Sequence, residues 1–152
     1  MYDTILIPTD GSDVAEHAIE HGLDIASRYE ADVHALYVVD TTAMDISLGT
    51  EQVERIRRGK FGEMPEVRER AERATGTVAE MGRERDVAVT EAVVAGQPHR
   101  QIASYAADHD VDLIVMGSAG RGGIKRALLG SVAERTLRTT HRPVLVVDVH
   151  DE

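Results

Sequence analysis

The sequence predicts an α/β domain: a three-layer, doubly wound, five-stranded parallel sheet in the order 3-2-1-4-5. Two observations lead there. Short runs rich in Val, Ile and Leu, with few charges, recur along the chain, as strands buried on both faces require. Segments with three- and four-residue apolar spacing separate them, so strands and helices alternate and right-handed crossovers follow.

The elements can be taken in order. Ile5-Leu6-Ile7 is the first strand. Ala15, Ala18, Ile19, Gly22, Leu23 and Ala26 form one stripe of a helix, with Ser12 as its N-cap and Asp13 in the first turn. Val33 to Val39 is the second strand. The segment Asp40 to Phe61 has no clear stripe and reads as an excursion. Met64 to Asp86 predicts a long, charged helix with Pro65 near its start, its wet face carrying i,i+4 pairs such as Glu66–Arg70 and Glu69–Arg73. Val87 to Ala95 alternates less cleanly, which suits a strand toward one edge. Pro98 to Asp108 is a shorter helix with Ile102, Tyr105 and Ala106 inward. Leu113 to Met116 is the fourth strand, Ser131 to Thr139 the last helix and Val144 to Val147 the last strand. With no linker or repeat, residues 1–152 are expected to form a single domain.

Composition excludes several classes of function. The 152 residues carry 17 basic and 27 acidic side chains, a formal net charge of −10, and only Lys60 and Lys125 are lysines. Such a charge repels nucleic acid and anionic membrane surfaces at long range. The absence of Cys removes disulfides, thiolate zinc sites and thiol nucleophiles. No apolar run approaches the roughly 20 residues of a membrane helix. Met1-Tyr2-Asp3-Thr4 does not open a secretory signal, so a cytoplasmic protein is expected.

Open sheets of this kind bind ligands beyond the carboxyl ends of their strands, where the strand order reverses. Here that point lies between the first and fourth strands. Pro8-Thr9-Asp10-Gly11-Ser12 leaves the first, and Gly117-Ser118-Ala119-Gly120-Arg121-Gly122-Gly123 leaves the fourth. The second loop continues through Lys125 and Arg126 to Gly130-Ser131-Val132. Gly117, Gly120, Gly130 and Ser131 suit a phosphate cradle closed by a helix N-terminus. The plain alternative is that these glycines only punctuate turns. Two common nucleotide motifs fail: Gly122 is followed by Gly123-Ile124 rather than a P-loop, and no GxGxxG follows the first strand.

Gly117-x2-Gly120-x9-Gly130-Ser131 resembles the ATP-binding signature of the universal stress protein family. Ile5-Leu6-Ile7-Pro8-Thr9-Asp10-Gly11-Ser12 is similar to that family's opening strand and nucleotide loop. Leu36 to Asp40, Val115 to Ser118 and Arg142 to Val147 resemble its second, fourth and closing strands. The resemblance covers essentially the whole chain and implies an adenine nucleotide alpha hydrolase-like fold. It implies that Gly120, Gly130, Ser131 and Val132 hold phosphates, with Ser118, Arg121 and Gly122 in the same loop. Asp10 and Gly117 would lie near the ribose and the phosphates bridged by Mg²⁺. Pro8, Thr9 and Val38 would flank the adenine, with Met116 beneath it. Ala119 departs from the family, where His or Arg is frequent.

The resemblance implies ATP, or ADP or AMP, as ligand, with Mg²⁺ held through the nucleotide by Asp10. It also implies a homodimer through Val144–Val149 and a regulatory role in stress toward an unidentified protein partner. No catalytic residue is assigned. Asp10 lacks a positioned base and charge clamp, so at most slow ATP hydrolysis is expected, and Lys125 and Arg121 read as counter-charge. His17 and His21 stand one turn apart but off the apolar stripe, so they read as solvated rather than metal-binding. The alternative function is a structural or interaction dimer of the same fold whose crevice stays empty.

Overall fold

β1 (Thr4–Pro8) lies at the centre of a five-stranded, all-parallel sheet ordered β3-β2-β1-β4-β5, where β2 is Asp32–Asp40, β3 Val89–Gly96, β4 Leu113–Gly117 and β5 Val144–Val147. The computed structural model describes residues 1–41, 65–119 and 129–148. The 3-2-1-4-5 order expected from the alternation is the observed one, and β3 forms an edge as its weaker pattern suggested. Ile5, Leu6 and Ile7 are wholly buried although successive side chains of a strand point to opposite faces. Each such side chain contributes about 1.5–3 kcal/mol through burial. The start of β1 is held by Asp112, whose Oδ2 accepts the N–H groups of Asp3 at 2.9 Å and Thr4 at 3.0 Å.

Helices cover both faces. α1 (Asp13–Tyr29) buries the stripe Ala15, Ala18, Ile19, Gly22, Leu23 and Ala26, and the Ser12 hydroxyl caps it by accepting the Ala15 N–H at 3.2 Å. α2 (Pro65–Glu84) packs on the same side through Ala71, Ala74, Thr75, Val78 and Gly82. On its wet face the i,i+4 ion pair that forms is Arg68–Glu72, not either pair expected from spacing. Together these helices and the sheet enclose a core that includes Ile5, Ile7, Leu23, Val33, Val78 and Val115.

α3 (Pro98–Asp108) and α4 (Ser131–Thr139) cover the other face, over Leu6, Leu36, Ile102, Ile114, Met116 and Ala133. Both helices have the bounds expected from the sequence. Tyr105 faces inward as expected and packs against this core. It is half-buried, and its hydroxyl shares a 2.6 Å hydrogen bond with His34 Nδ1 near the amino end of β2. Its ring stacks on His109, with centroids 3.8 Å apart. Burial raises the Tyr105 pKa above its ordinary value. The His34 pKa is lowered, first by burial and then by His109, against an opposing pull from Asp32. Of the excursion expected over Asp40 to Phe61, Asp40 ends β2 and the part from 42 on lies outside the described residues.

Candidate functional site

The crevice arises from the register of the central strands. β1 stays paired to β2 as far as Pro8 beside Leu36, and β4 to β5 as far as Gly117 beside Val147. Between β1 and β4, however, pairing covers Ile5–Leu113 and Leu6–Ile114. The two strands therefore part before either ends. Pro8 lacks an N–H to extend the ladder. The cleft opens at the carboxyl ends of the strands, at the switch point of the sheet.

The β1 wall is preorganised by its own hydrogen bonds. Thr9 is buried, and its N–H donates to Leu36 O at 2.9 Å, so the chain stays on β2 past the end of β1. Its Oγ1 accepts the Gly11 N–H at 3.2 Å, and Asp10 Oδ1 accepts the Ser12 N–H at 2.9 Å. Gly11 takes φ +82°, a left-handed conformation that a side chain would resist. This short turn fixes Asp10 at the mouth of the cleft and delivers Ser12 to cap α1.

The β4 wall closes on itself. At Gly117 an added Cβ would lie 2.9 Å from Val14 Cγ1, so only glycine lets β4 pass the first turn of α1. Ser118 is buried; its N–H donates to Val147 O at 2.8 Å and its hydroxyl to Asp148 Oδ1 at 2.7 Å. The Gly130 N–H donates to Ser118 O, joining the two ends of the intervening loop. Gly130 is the N-cap of α4 and offers no side-chain cap. The N–H groups of Ser131 and Val132 fall in the first turn, where helix geometry supplies no acceptor. Glu134, in that same turn, is held by Arg138 at 2.9 Å.

The expected residues are thus brought together in part. Pro8, Thr9 and Asp10 line one side of the split, while Met116, Gly117, Ser118, Gly130, Ser131 and Val132 follow from the other. Val38 is half-buried and packs on the cluster that contains Met116. Gly120, Arg121 and Gly122 lie outside the described residues, as does Lys125. His17 and His21 are exposed, and no cluster of three or more His, Asp or Glu side chains suited to a metal occurs among the described residues. Asp10 fits Mg²⁺ shared with ligand phosphates, since that ion often takes one carboxylate and completes its shell with phosphates and water. Sequence reasoning missed Val14, which meets Gly117, and Asp148, which meets Ser118. β5 has the bounds of its apolar run, Val144–Val147; in the longer segment Val144–Val149 expected at a dimer contact, Asp148 is bound to Ser118 and Val149 lies outside the described residues. No helix among the described residues is long and apolar enough to cross a membrane.

A parallel sheet split at its switch point, with close glycine contacts at Gly117 and Gly130 and a helix N-terminus without a side-chain cap, defines a doubly wound α/β protein built around that cleft. The chain belongs to the universal stress protein family, whose family model matches residues 1–148. It is 39% identical over 148 residues to universal stress protein MJ0531 of Methanocaldococcus jannaschii, an alignment covering 97% of this chain and 82% of that protein. It is 31% identical over 160 residues to universal stress protein MJ0577 of the same organism, covering 97% of this chain and 95% of that one. The solved structure of MJ0577 superposes with a TM-score of 0.80 over 100% of this chain and 99% of that chain. A universal stress protein solved in complex with cAMP shares the fold, at a TM-score of 0.66 and 22% identity, with 97% of each chain covered.

Proposed function

We propose that this chain is an adenine-nucleotide-binding regulator that holds ATP, or ADP or AMP, in the cleft between β1 and β4. The observation that carries the reading is the closure of Ser118 onto Gly130, which presents the uncapped first turn of α4 beside the parted strands. Free N–H groups and the helix dipole favour a phosphate there. The N–H groups of Ser131 and Val132 and the Ser131 hydroxyl bind phosphate oxygens, with Gly120, Arg121 and Gly122 completing the loop. Asp10 serves the ribose or a nucleotide-bound Mg²⁺, and Pro8, Thr9, Val38 and Met116 take the base. The cAMP complex of a relative with this fold agrees with that ligand class.

The reading takes the protein as a binder, with at most slow ATP hydrolysis, because in-line attack on a phosphate needs a positioned water and a charge clamp besides a single carboxylate. The reading takes it to act in the cytoplasm, in stress regulation, through a protein partner and without nucleic acid or membrane. The outer edge of β5, which pairs with no further strand among the described residues, is the surface for a homodimer, since such an edge is a template for a second strand. A monomer in sedimentation at micromolar concentration would remove that last part alone. Calorimetric titration with Mg-ATP tests the site. Saturable heat is expected from the native protein and none from Gly130→Val or Ser131→Val. Absence of heat from the native protein, with no nucleotide carried through purification, would leave the empty interaction dimer.

A further inference from the structure

Every polar backbone and side-chain group of Ser118 is engaged within the protein. Its N–H and hydroxyl are both donated to the end of β5, to Val147 O and Asp148 Oδ1, while its carbonyl accepts from Gly130. The residue after β4 is therefore gripped by the last residue of β5 and the one that follows it, and in turn holds Gly130. The Asp148 bond is an O–H donated to a carboxylate at 2.7 Å, the stronger, charge-assisted kind. Ser118 itself is buried, so losing this acceptor leaves a desolvated hydroxyl rather than a hydrated one.

We propose that Asp148 is a positioning residue for the phosphate-binding first turn of α4: by fixing Ser118 it fixes Gly130 and the direction in which that turn faces the cleft. It makes no contact with ligand in this role. Ser118 acts as the anchor through which it works. The inference rests on the nucleotide reading above for its effect on binding, and on geometry alone for its effect on the loop.

The test compares ATP, ADP and adenosine binding to the native protein, Asp148→Ala, Asp148→Asn, Ser118→Ala and the Ser118→Ala/Asp148→Ala double variant. Asp148→Ala is expected to weaken ATP and ADP about tenfold, as for loss of one hydrogen bond to a charged group, and adenosine less than about twofold. Asp148→Asn keeps an acceptor oxygen and should stay within about twofold of native, and the double variant should be no weaker than either single one. Native affinity in Asp148→Ala, an equal loss for adenosine, or an Asn variant as weak as Ala would overturn the proposal. If the native protein binds no nucleotide, the functional reading fails by itself. Hydrogen exchange at the Gly130 amide then decides the positioning role: faster in Asp148→Ala and restored in Asp148→Asn supports it, and unchanged exchange refutes it.

Discussion

Replacing Gly130 by Ala isolates what the loop closure contributes. The backbone there has φ −70° and ψ 163°, open to any residue, so dihedral strain plays no part. The added Cβ would stand 3.1 Å from both Ser118 O and Ala119 Cα, and 3.7 Å from Ala119 Cβ. The two nearest atoms belong to backbone and cannot rotate away. The loop ends must separate by a few tenths of an ångström, directly along the Gly130–Ser118 hydrogen bond. Overpacking of this sort costs about 1–3 kcal/mol, and the stiffer unfolded chain returns about 0.4–1 kcal/mol. The net loss is therefore about 1 kcal/mol, or about 2–4 °C in Tm for a domain of this size. Urea denaturation with linear extrapolation reads the first quantity, and titration with Mg-ATP should show binding weaker by up to about fivefold, the equivalent of the same ~1 kcal/mol. Unchanged stability together with native affinity would refute the account of a loop held shut by contact at Gly130.

Further outcomes follow from other sites. Gly76→Ala should have the opposite sign and stabilise by about 0.8–1 kcal/mol, because its Cβ enters open space with only Glu91 Oε1 at 4.0 Å; a lowered Tm would contradict this. Leu6→Ala removes a wholly buried side chain from the α3–α4 face and should cost about 2–5 kcal/mol in urea denaturation, so a loss under about 1 kcal/mol would contradict close packing there. Ser12→Ala should cost about 1 kcal/mol through loss of the α1 cap, measured the same way. The pKa of His34 is lowered on folding, so just below its ordinary value of 6.5 the unfolded chain binds the extra proton. Stability should fall as pH drops from 6.5 through the folded pKa, and His34→Asn should flatten that part of the profile. An identical profile in the variant would show that His34 does not contribute.

The sheet was legible because its signals are local. Ile5-Leu6-Ile7 and Leu113 to Met116 are unbroken apolar runs that only a strand covered on both faces accommodates. The α1 stripe reappears residue for residue as the buried side of that helix. Boundaries failed where a turn depends on backbone conformation. β3 begins at Val89 rather than Val87 because Val87 N–H donates to Gly82 O and Asp86 adopts φ +55°, closing the turn after α2. The site was legible as two loops meeting at a switch point, but not in its fastening. Asp148 reaches Ser118 across 30 residues of sequence, and Tyr105 reaches His34 across 71. No spacing rule connects residues so far apart. The inward side of Tyr105 was legible from its helix stripe, but the partner of its hydroxyl was not.

The central place of β1 also has a cost in time. Its second flank is supplied by β4, and 108 residues separate Thr4 from Asp112, where that side begins to be tied down. At about 5–20 residues added per second, the ribosome takes about 5–20 s to make the intervening chain. Throughout that interval β1 and β2 can meet, but the β4 side of β1 offers bare N–H and C=O groups beside some of the most apolar residues in the protein. The nascent chain passes through a sticky stage that the finished molecule does not display. Nothing that lodges between β1 and β4 can assist before β4 emerges, so a ligand of that cleft cannot protect the young chain.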